Sequence, residues 1–253
     1  MRESWFQTWF NETYKSLYPH RDSREAEAQA RFVLRKLPVT PEWRILDVGC
    51  GSGRHLEFLR KQGFSHCLGL DLSLPLLRDA RAAGQPVARG DMRHLPFRRE
   101  GFDLVTSFFT SFGYFATFAE DVEALAQMVS LLKPGGYLFL DLINKAHLVK
   151  HLVASDSRMV DGATVSQKRR IEPQSLGPAS VVVKEIEILR PDGAGESYQE
   201  RVRLYESDDI LALAARFSLT HEATFGDETG CAYRGDASPR MSMLLRRGAL
   251  PLT

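Results

Sequence analysis

Cysteine is scarce in this chain: Cys50, Cys67 and Cys231 are the only three among 253 residues. An odd number with no CxxC spacing argues against a disulfide framework or a thiolate zinc site and fits a reducing compartment, so no metal is expected. Charge of one sign is also missing. Thirty-three Lys and Arg stand against 32 Asp and Glu, a formal net charge of +1, so no global field draws the chain to a polyanion and nucleic acid is not the favoured partner. No stretch approaches the roughly 18 apolar residues of a membrane span. The opening Met1-Arg2-Glu3-Ser4-Trp5-Phe6 lacks the apolar core and small-residue cleavage site of a secretion signal. The expectation is a soluble, cytoplasmic protein with no membrane partner.

What remains is ordinary globular material. With 43% hydrophobic and 26% charged residues a sizeable core is available, and the length suits one α/β domain carrying an inserted subdomain. Residues 5–37 read helical, with Trp9, Tyr14, Leu17 and Tyr18 ahead of a break at Pro19 and a charged, alanine-rich helix from about Asp22. Residues 44–48 form a short apolar run stopped by glycines, as a buried parallel strand does, and 54–62 continue at helical spacing. The alternation repeats, with strands at 66–70, 86–89, 102–108 and 136–143 and helices at 75–83 and 119–132. This predicts a doubly wound, mostly parallel sheet covered on both faces. After Asn144 the rhythm changes. Residues 159–171, 180–189 and 198–205 read as antiparallel strands between Pro- and Gly-containing turns. A helix at 210–217, capped from Ser207-Asp208-Asp209, and strands at 219–225 and 241–245 then close a seven-stranded sheet. The expected organisation is a helical cap (1–40), an α/β domain (41–153 and 206–253) and an antiparallel β insertion (154–205) serving as a substrate lid.

Asp47-Val48-Gly49-Cys50-Gly51-Ser52-Gly53 lies between predicted strand and predicted helix, where missing side chains let a ligand approach the backbone. A tight strand-to-helix turn, or another nucleotide-binding fold, would also explain a lone GxGxG run. Two further carboxylates separate these readings. Asp71 ends the second apolar run, at the distance where an acidic residue accepts from both ribose hydroxyls. Asp91 follows the third run, where a carboxylate can accept from an exocyclic adenine amine while Met92 packs beside the ring. His55 occupies the place of the third glycine of a dinucleotide fingerprint, the one that permits close helix packing over a pyrophosphate.

With these elements in this order, the sequence resembles the class I S-adenosylmethionine-dependent methyltransferase family. Leu132-Lys133-Pro134-Gly135-Gly136-Tyr137-Leu138 looks like the turn before that family's fifth strand, and the resemblance covers roughly residues 44–144. It implies a Rossmann-like fold and S-adenosylmethionine as cofactor, with S-adenosylhomocysteine as product. It also implies that Asp47, Gly49, Gly51 and Gly53 hold the methionine part, Asp71 the ribose, Asp91 with Met92 the adenine, and that Phe108 flanks the sulfonium. Cys50 and Leu72 complete the stretch assigned to the cofactor.

The acceptor is harder to read, because methyl transfer is an in-line displacement that rests on alignment and water exclusion and needs no universal catalytic residue. Residues 105–115 lack the Asn/Asp-Pro-Pro-aromatic motif of methyltransferases acting on base amino groups. Residues 14–22 look like the N-terminal cap of small-molecule members of the family, with Tyr14 and Arg21 toward the cofactor and Tyr18 toward the reaction. His20 is a candidate proton acceptor because imidazole titrates near neutrality. In 200–205, alternation puts Arg201, Arg203 and Tyr205 on one strand face, where guanidinium groups could hold an acidic or polar acceptor. Arg203 is counted with the catalytic candidates, and Arg201, Tyr205, Tyr114 and Arg240 with the substrate candidates. Tyr18→Phe and Arg203→Ala are accordingly expected to impair turnover more than folding. The expected function is methyl transfer to oxygen or nitrogen of a small molecule; the competing readings are a non-catalytic binder of the same cofactor and an NAD-dependent oxidoreductase.

Overall fold

A computed structural model describes residues 4–18, 23–173 and 180–249. Its centre is β1 (Ile45–Val48), whose four residues are all buried, as expected of a strand covered on both faces. Helix α4 (Arg54–Lys61), β2 (Cys67–Asp71), α5 (Leu74–Ala82) and β3 (Val87–Arg89) build the sheet outward on one side. Strand β4 (Phe102–Ser107), α6 (Phe118–Leu131) and β5 (Leu132–Ile143) build it on the other. Beyond the second sheet the chain returns through α8 (Ser207–Arg216), β10 (Leu219–Phe225) and β11 (Arg240–Arg247). The strand order is β10-β11-β5-β4-β1-β2-β3. Only β11 runs antiparallel to its neighbours β5 and β10.

The chain therefore reverses its direction of travel across the sheet between β1 and β4, and the crevice outside their carboxyl ends is where such sheets bind ligands. Apolar clusters cover both faces. One includes Leu125, Met128 and Val129 of α6 with Leu213 of α8. The other includes Leu56 and Leu59 of α4, Leu77 of α5, and Phe32 and Val33 of α3 (Ser23–Arg35). The turn expected within 132–138 falls inside β5, where Gly135 takes φ +79° and the pairing with β4 slips between Phe102 and Leu104.

A second sheet of four antiparallel strands comprises β6 (Ser155–Val160), β7 (Ala163–Glu172), β8 (Ser180–Leu189) and β9 (Gly195–Leu204), in that order. The stretch 159–171, read from sequence as one strand, is in fact the end of one strand and most of the next. Asp161 and Gly162 turn the chain with φ of +47° and +81°, the left-handed pair that a two-residue hairpin needs. A short helix, α7 (Lys145–His151), to which the sequence reading assigns no element, follows β5 and is started by the Asn144 side chain accepting from the Ala146 amide at 3.2 Å.

Helices α1 (Trp5–Trp9) and α2 (Glu12–Leu17) lie against the second sheet. Trp9 is fully buried, clustered with Val165, Ile186 and Ile188, and its indole donates to Glu200 at 2.6 Å. The two sheets are tied by β9: the Arg203 amide donates to the Gly113 carbonyl at 2.8 Å, and its guanidinium Nε to Asp121 of α6 at 2.7 Å. No helix among the described residues is long and apolar enough to cross a membrane.

Candidate functional site

At the carboxyl ends of β1, β2 and β4 lies a pocket of about 330 Å³, within the range that holds a small-molecule ligand. Its floor is the glycine loop, contributing Gly49, Cys50 and Gly51. Gly49 takes φ +79°, and a Cβ there would lie 2.6 Å from the Ser111 side chain, so this position tolerates only glycine for reasons of both conformation and space. Gly53 sits lower. It is the N-cap of α4 at φ +78°, packs toward Gln85 and Ala80, and, like Asp47, lies behind the residues that line the pocket.

Asp47 also lies beneath the loop, 1% exposed. Thr106 donates to its Oδ1 at 3.0 Å, while Oδ2 is buried without a hydrogen-bond partner, an arrangement that costs free energy until a donor arrives. Burial pushes its carboxyl up to about 7, with the Thr106 bond opposing. Asp71 is better provided. The Gly51 amide donates to Oδ2 and the Ser73 amide to Oδ1, both at 2.8 Å. These fix the carboxylate plane toward the pocket and leave each oxygen capacity for one more donor. Burial raises the Asp71 carboxyl and the Ser73 and Gly51 amides pull it back. Leu72 lines the pocket beside it.

Asp91 and Met92 line the next wall, but Asp91 is already engaged. Arg93 donates to it through Nε at 3.1 Å and Nη2 at 2.6 Å, and to Glu120 through Nη1 at 2.5 Å. Although burial acts upward, Arg93 holds the Asp91 carboxyl below its ordinary range. An adenine amine would share this carboxylate with Arg93. Phe108 lines the pocket and stacks on His55 with centroids 3.9 Å apart and planes 8° from parallel. His55, to which sequence gave no role, is 3% exposed and at the edge of the site.

The roof is aromatic. Tyr14 and Tyr18 line it as the sequence suggested, joined by Phe6 and Phe10 of the same segment and by Tyr114 and Phe115 after β4. The rings form a continuous wall: Phe10 to Tyr14 at 4.9 Å, Tyr14 to Tyr18 at 5.2 Å and Phe10 over Tyr114 at 5.8 Å. Phe6, Phe10 and Tyr14 recur at helical spacing, a signal that was available but reads equally as core. Polar clasps hold the roof down: Ser73 Oγ donates to the Phe10 carbonyl at 2.6 Å, and Lys15 pairs with Asp79 at 2.7 Å. His20 and Arg21 lie outside the described residues.

Arg203, the catalytic candidate of β9, and the substrate candidates Tyr205, Arg201 and Arg240 do not line the pocket. Arg203 and Tyr205 are 3% and 1% exposed and both donate to Asp121 Oδ2 at 2.7 Å; the proximity of that carboxylate and burial push the Tyr205 phenol up, burial most. Arg201 pairs with Glu172 at 2.8 Å on the neighbouring surface. Arg240 grips Asp141 at 2.7 Å and Thr110 Oγ1 at 2.7 Å, thereby bracing the turn after β4. Among the described residues, none of β6–β9 lines the pocket, so the second sheet backs the cap instead of covering the site itself. Its contribution comes from the opposite face to Arg201: Lys184 donates to Tyr18 Oη at 2.5 Å and to Glu200 at 3.2 Å.

Residues 46–140 match the family model described as a methyltransferase domain. A probable tRNA methyltransferase 9B of Bos taurus is 32% identical over 130 residues, 51% of this chain and 28% of that protein. A dTDP-3-amino-3,4,6-trideoxy-alpha-D-glucopyranose N,N-dimethyltransferase of Streptomyces venezuelae is 39% identical over 105 residues, 40% of this chain and 44% of that protein. The chain thus spans less than half the length of either of these relatives. Among solved structures, an S-adenosylmethionine-bound amino pentose methyltransferase from Micromonospora echinaspora superposes with a TM-score of 0.68 at 26% identity, covering 93% of this chain and 97% of that one. With the sheet order, the glycine loop and the carboxylate that ends β2 all in place, residues 46–140 belong to the methyltransferase-domain family, on the fold of class I S-adenosylmethionine-dependent methyltransferases.

Proposed function

We propose that the protein transfers a methyl group from S-adenosylmethionine to an amino group of a small molecule. The observation that carries this reading is the aromatic roof closing over the glycine loop, because ring faces favour a sulfonium and a cationic amine over an anionic group, and the amine gives its proton to solvent before its nitrogen lone pair displaces the sulfur. The family cofactor fits the residues present. Asp71 offers two oriented oxygens to ribose hydroxyls, the orphaned Asp47 Oδ2 suits a methionine ammonium, and Leu72, Met92 and Phe108 supply apolar walls. When bound, the cofactor supplies an activated methyl on a positively charged sulfur.

The protein's own part is then alignment and exclusion of water. Phe6, Phe10 and Tyr114 shield the reacting space, and Tyr18, steadied by Lys184, is the polar group on the acceptor side. The named activities of the sugar N,N-dimethyltransferase and amino pentose methyltransferase relatives support an amine acceptor. The near-neutral net charge gives no comparable support for the tRNA reading suggested by the probable tRNA methyltransferase relative. Incubation with S-adenosylmethionine and a panel of amino sugars and their hydroxyl counterparts, read by mass spectrometry, tests this. A gain of one or two methyl groups on amines alone is expected. Transfer only to hydroxyls or to tRNA would overturn the amine assignment, and cofactor binding without transfer to any acceptor would favour the non-catalytic binder.

A further inference from the structure

Beneath the glycine loop runs a buried chain of side chains whose hydrogen-bond roles can be worked out from one end. Asp141 is surrounded by donors: the Phe109 amide at 2.9 Å, Ser242 Oγ at 2.9 Å, Arg240 at 2.7 and 2.9 Å, and Gln29 at 2.7 Å. A carboxylate so surrounded only accepts, so Gln29 must turn its Nε2 toward it. The Gln29 carbonyl oxygen then faces His55 Nε2 at 3.1 Å, and an oxygen without hydrogen requires that Nε2 carry the proton. In a neutral imidazole this leaves Nδ1 bare, and Nδ1 faces Asp47 Oδ2 at 3.8 Å, the same oxygen that lacks any partner.

Two bare lone pairs thus confront each other in a buried site, and a proton on one of them relieves the conflict. Burial, with Arg54 adding to it, drives His55 down to about 3, while burial lifts Asp47 to about 7, so the proton belongs on the carboxyl. The other charged or titratable groups around the pair act in both directions. Asp71 raises Asp47 and Arg54 lowers it, the Cys50 thiol is itself pushed up by burial, and Asp141 is balanced by Arg240.

We propose that Gln29 is a positioning residue that fixes the tautomer of His55, so that Asp47 and His55 hold one proton in the free protein and release it when the ammonium of the cofactor's methionine end reaches Asp47. This rests on the cofactor reading above for its second half only. The O–H bond of Asp47 breaks, the proton leaves to solvent, and the freed oxygen accepts from the ligand's N–H; nothing is oxidised or reduced.

Nitrogen-15 NMR of the histidine-labelled free protein tests the first half without any ligand. His55 is expected to show a protonated Nε2 and an unprotonated Nδ1 at about pH 7.5, and Gln29→Met, checked for folding by thermal unfolding, is expected to show both tautomers. A protonated Nδ1 in the wild type, or the same single tautomer in Gln29→Met, would overturn the proposal. Calorimetry with S-adenosylhomocysteine in buffers of different ionisation enthalpy tests the second half. Nearly one proton should be released at about pH 6, and affinity should rise about fivefold from pH 6 to pH 7, the linkage expected of a group titrating near 7 only in the free state. In Gln29→Met both effects should shrink by half or more. Binding that is independent of pH, with no proton released, would overturn it; no binding at all would instead sink the cofactor reading and leave the tautomer result standing.

Discussion

Asp71→Ala is expected to weaken S-adenosylhomocysteine binding by at least about a hundredfold while leaving the fold intact. Two charge-assisted hydrogen bonds to a ligand are worth about 1.5–3 kcal/mol each, together enough for a change of that size or more. The loss is compounded because Asp71 also receives the Gly51 and Ser73 amides at 2.8 Å, and without it the floor of the pocket is no longer held in shape. These amides lie at the pocket wall, where water can replace the carboxylate, so stability should fall by much less than binding. Asp71→Asn, which retains one acceptor oxygen, should fall between the two. Calorimetric titration with thermal unfolding in parallel checks this, and an affinity within about threefold of wild type would remove Asp71 from the site.

Arg203→Met is expected to do the reverse, costing about 3–5 kcal/mol of stability with little effect on cofactor affinity in the folded protein. The guanidinium is almost wholly buried against Asp121, which is 0% exposed. Removing it strands a carboxylate whose remaining side-chain donor is Tyr205. At about 2–4 °C per kcal/mol for a chain of this size, the midpoint of thermal unfolding should drop by roughly 6–20 °C. Combining Arg203→Met with Asp121→Leu should recover part of the loss, because replacing both members of a buried pair is far cheaper than orphaning one. The strand alternation pointed instead to lost turnover with folding preserved. Near-normal unfolding with severely reduced turnover would restore that reading and contradict the structure.

The contrast between Asp71 and Arg203 indicates what a sequence can reveal of such a protein. The glycine loop, Asp71 and Asp91-Met92 follow strands within a single βαβ progression, so local chain geometry brings them to one sheet edge and their order alone locates the pocket. Alternation in β9 correctly puts Arg201 and Arg203 on one side, but it carries no information about which side meets which neighbour. Asp121, 82 residues from Arg203, is what decides that. Arg240 is likewise taken up by Asp141, 99 residues away. The competition at Asp91 was in plain view two residues downstream at Arg93, and was missed because a carboxylate at that place was read only for its ligand. The hairpin at Asp161-Gly162 was a legible turn signal hidden inside what looked like one long alternating strand. His55 stands out in the sequence only as a replacement for the third glycine of a dinucleotide fingerprint, whereas its importance comes from Gln29, an amide 26 residues away that no local spacing would find.

The central claim is that the pocket above the glycine loop holds S-adenosylmethionine, and the most direct measurement is calorimetric titration of the purified protein with S-adenosylhomocysteine, repeated in the presence of NADH. Saturable binding with about one site per chain, unaffected by NADH, is the predicted result. No binding of S-adenosylhomocysteine, or its displacement by tighter-binding NADH, would contradict the account.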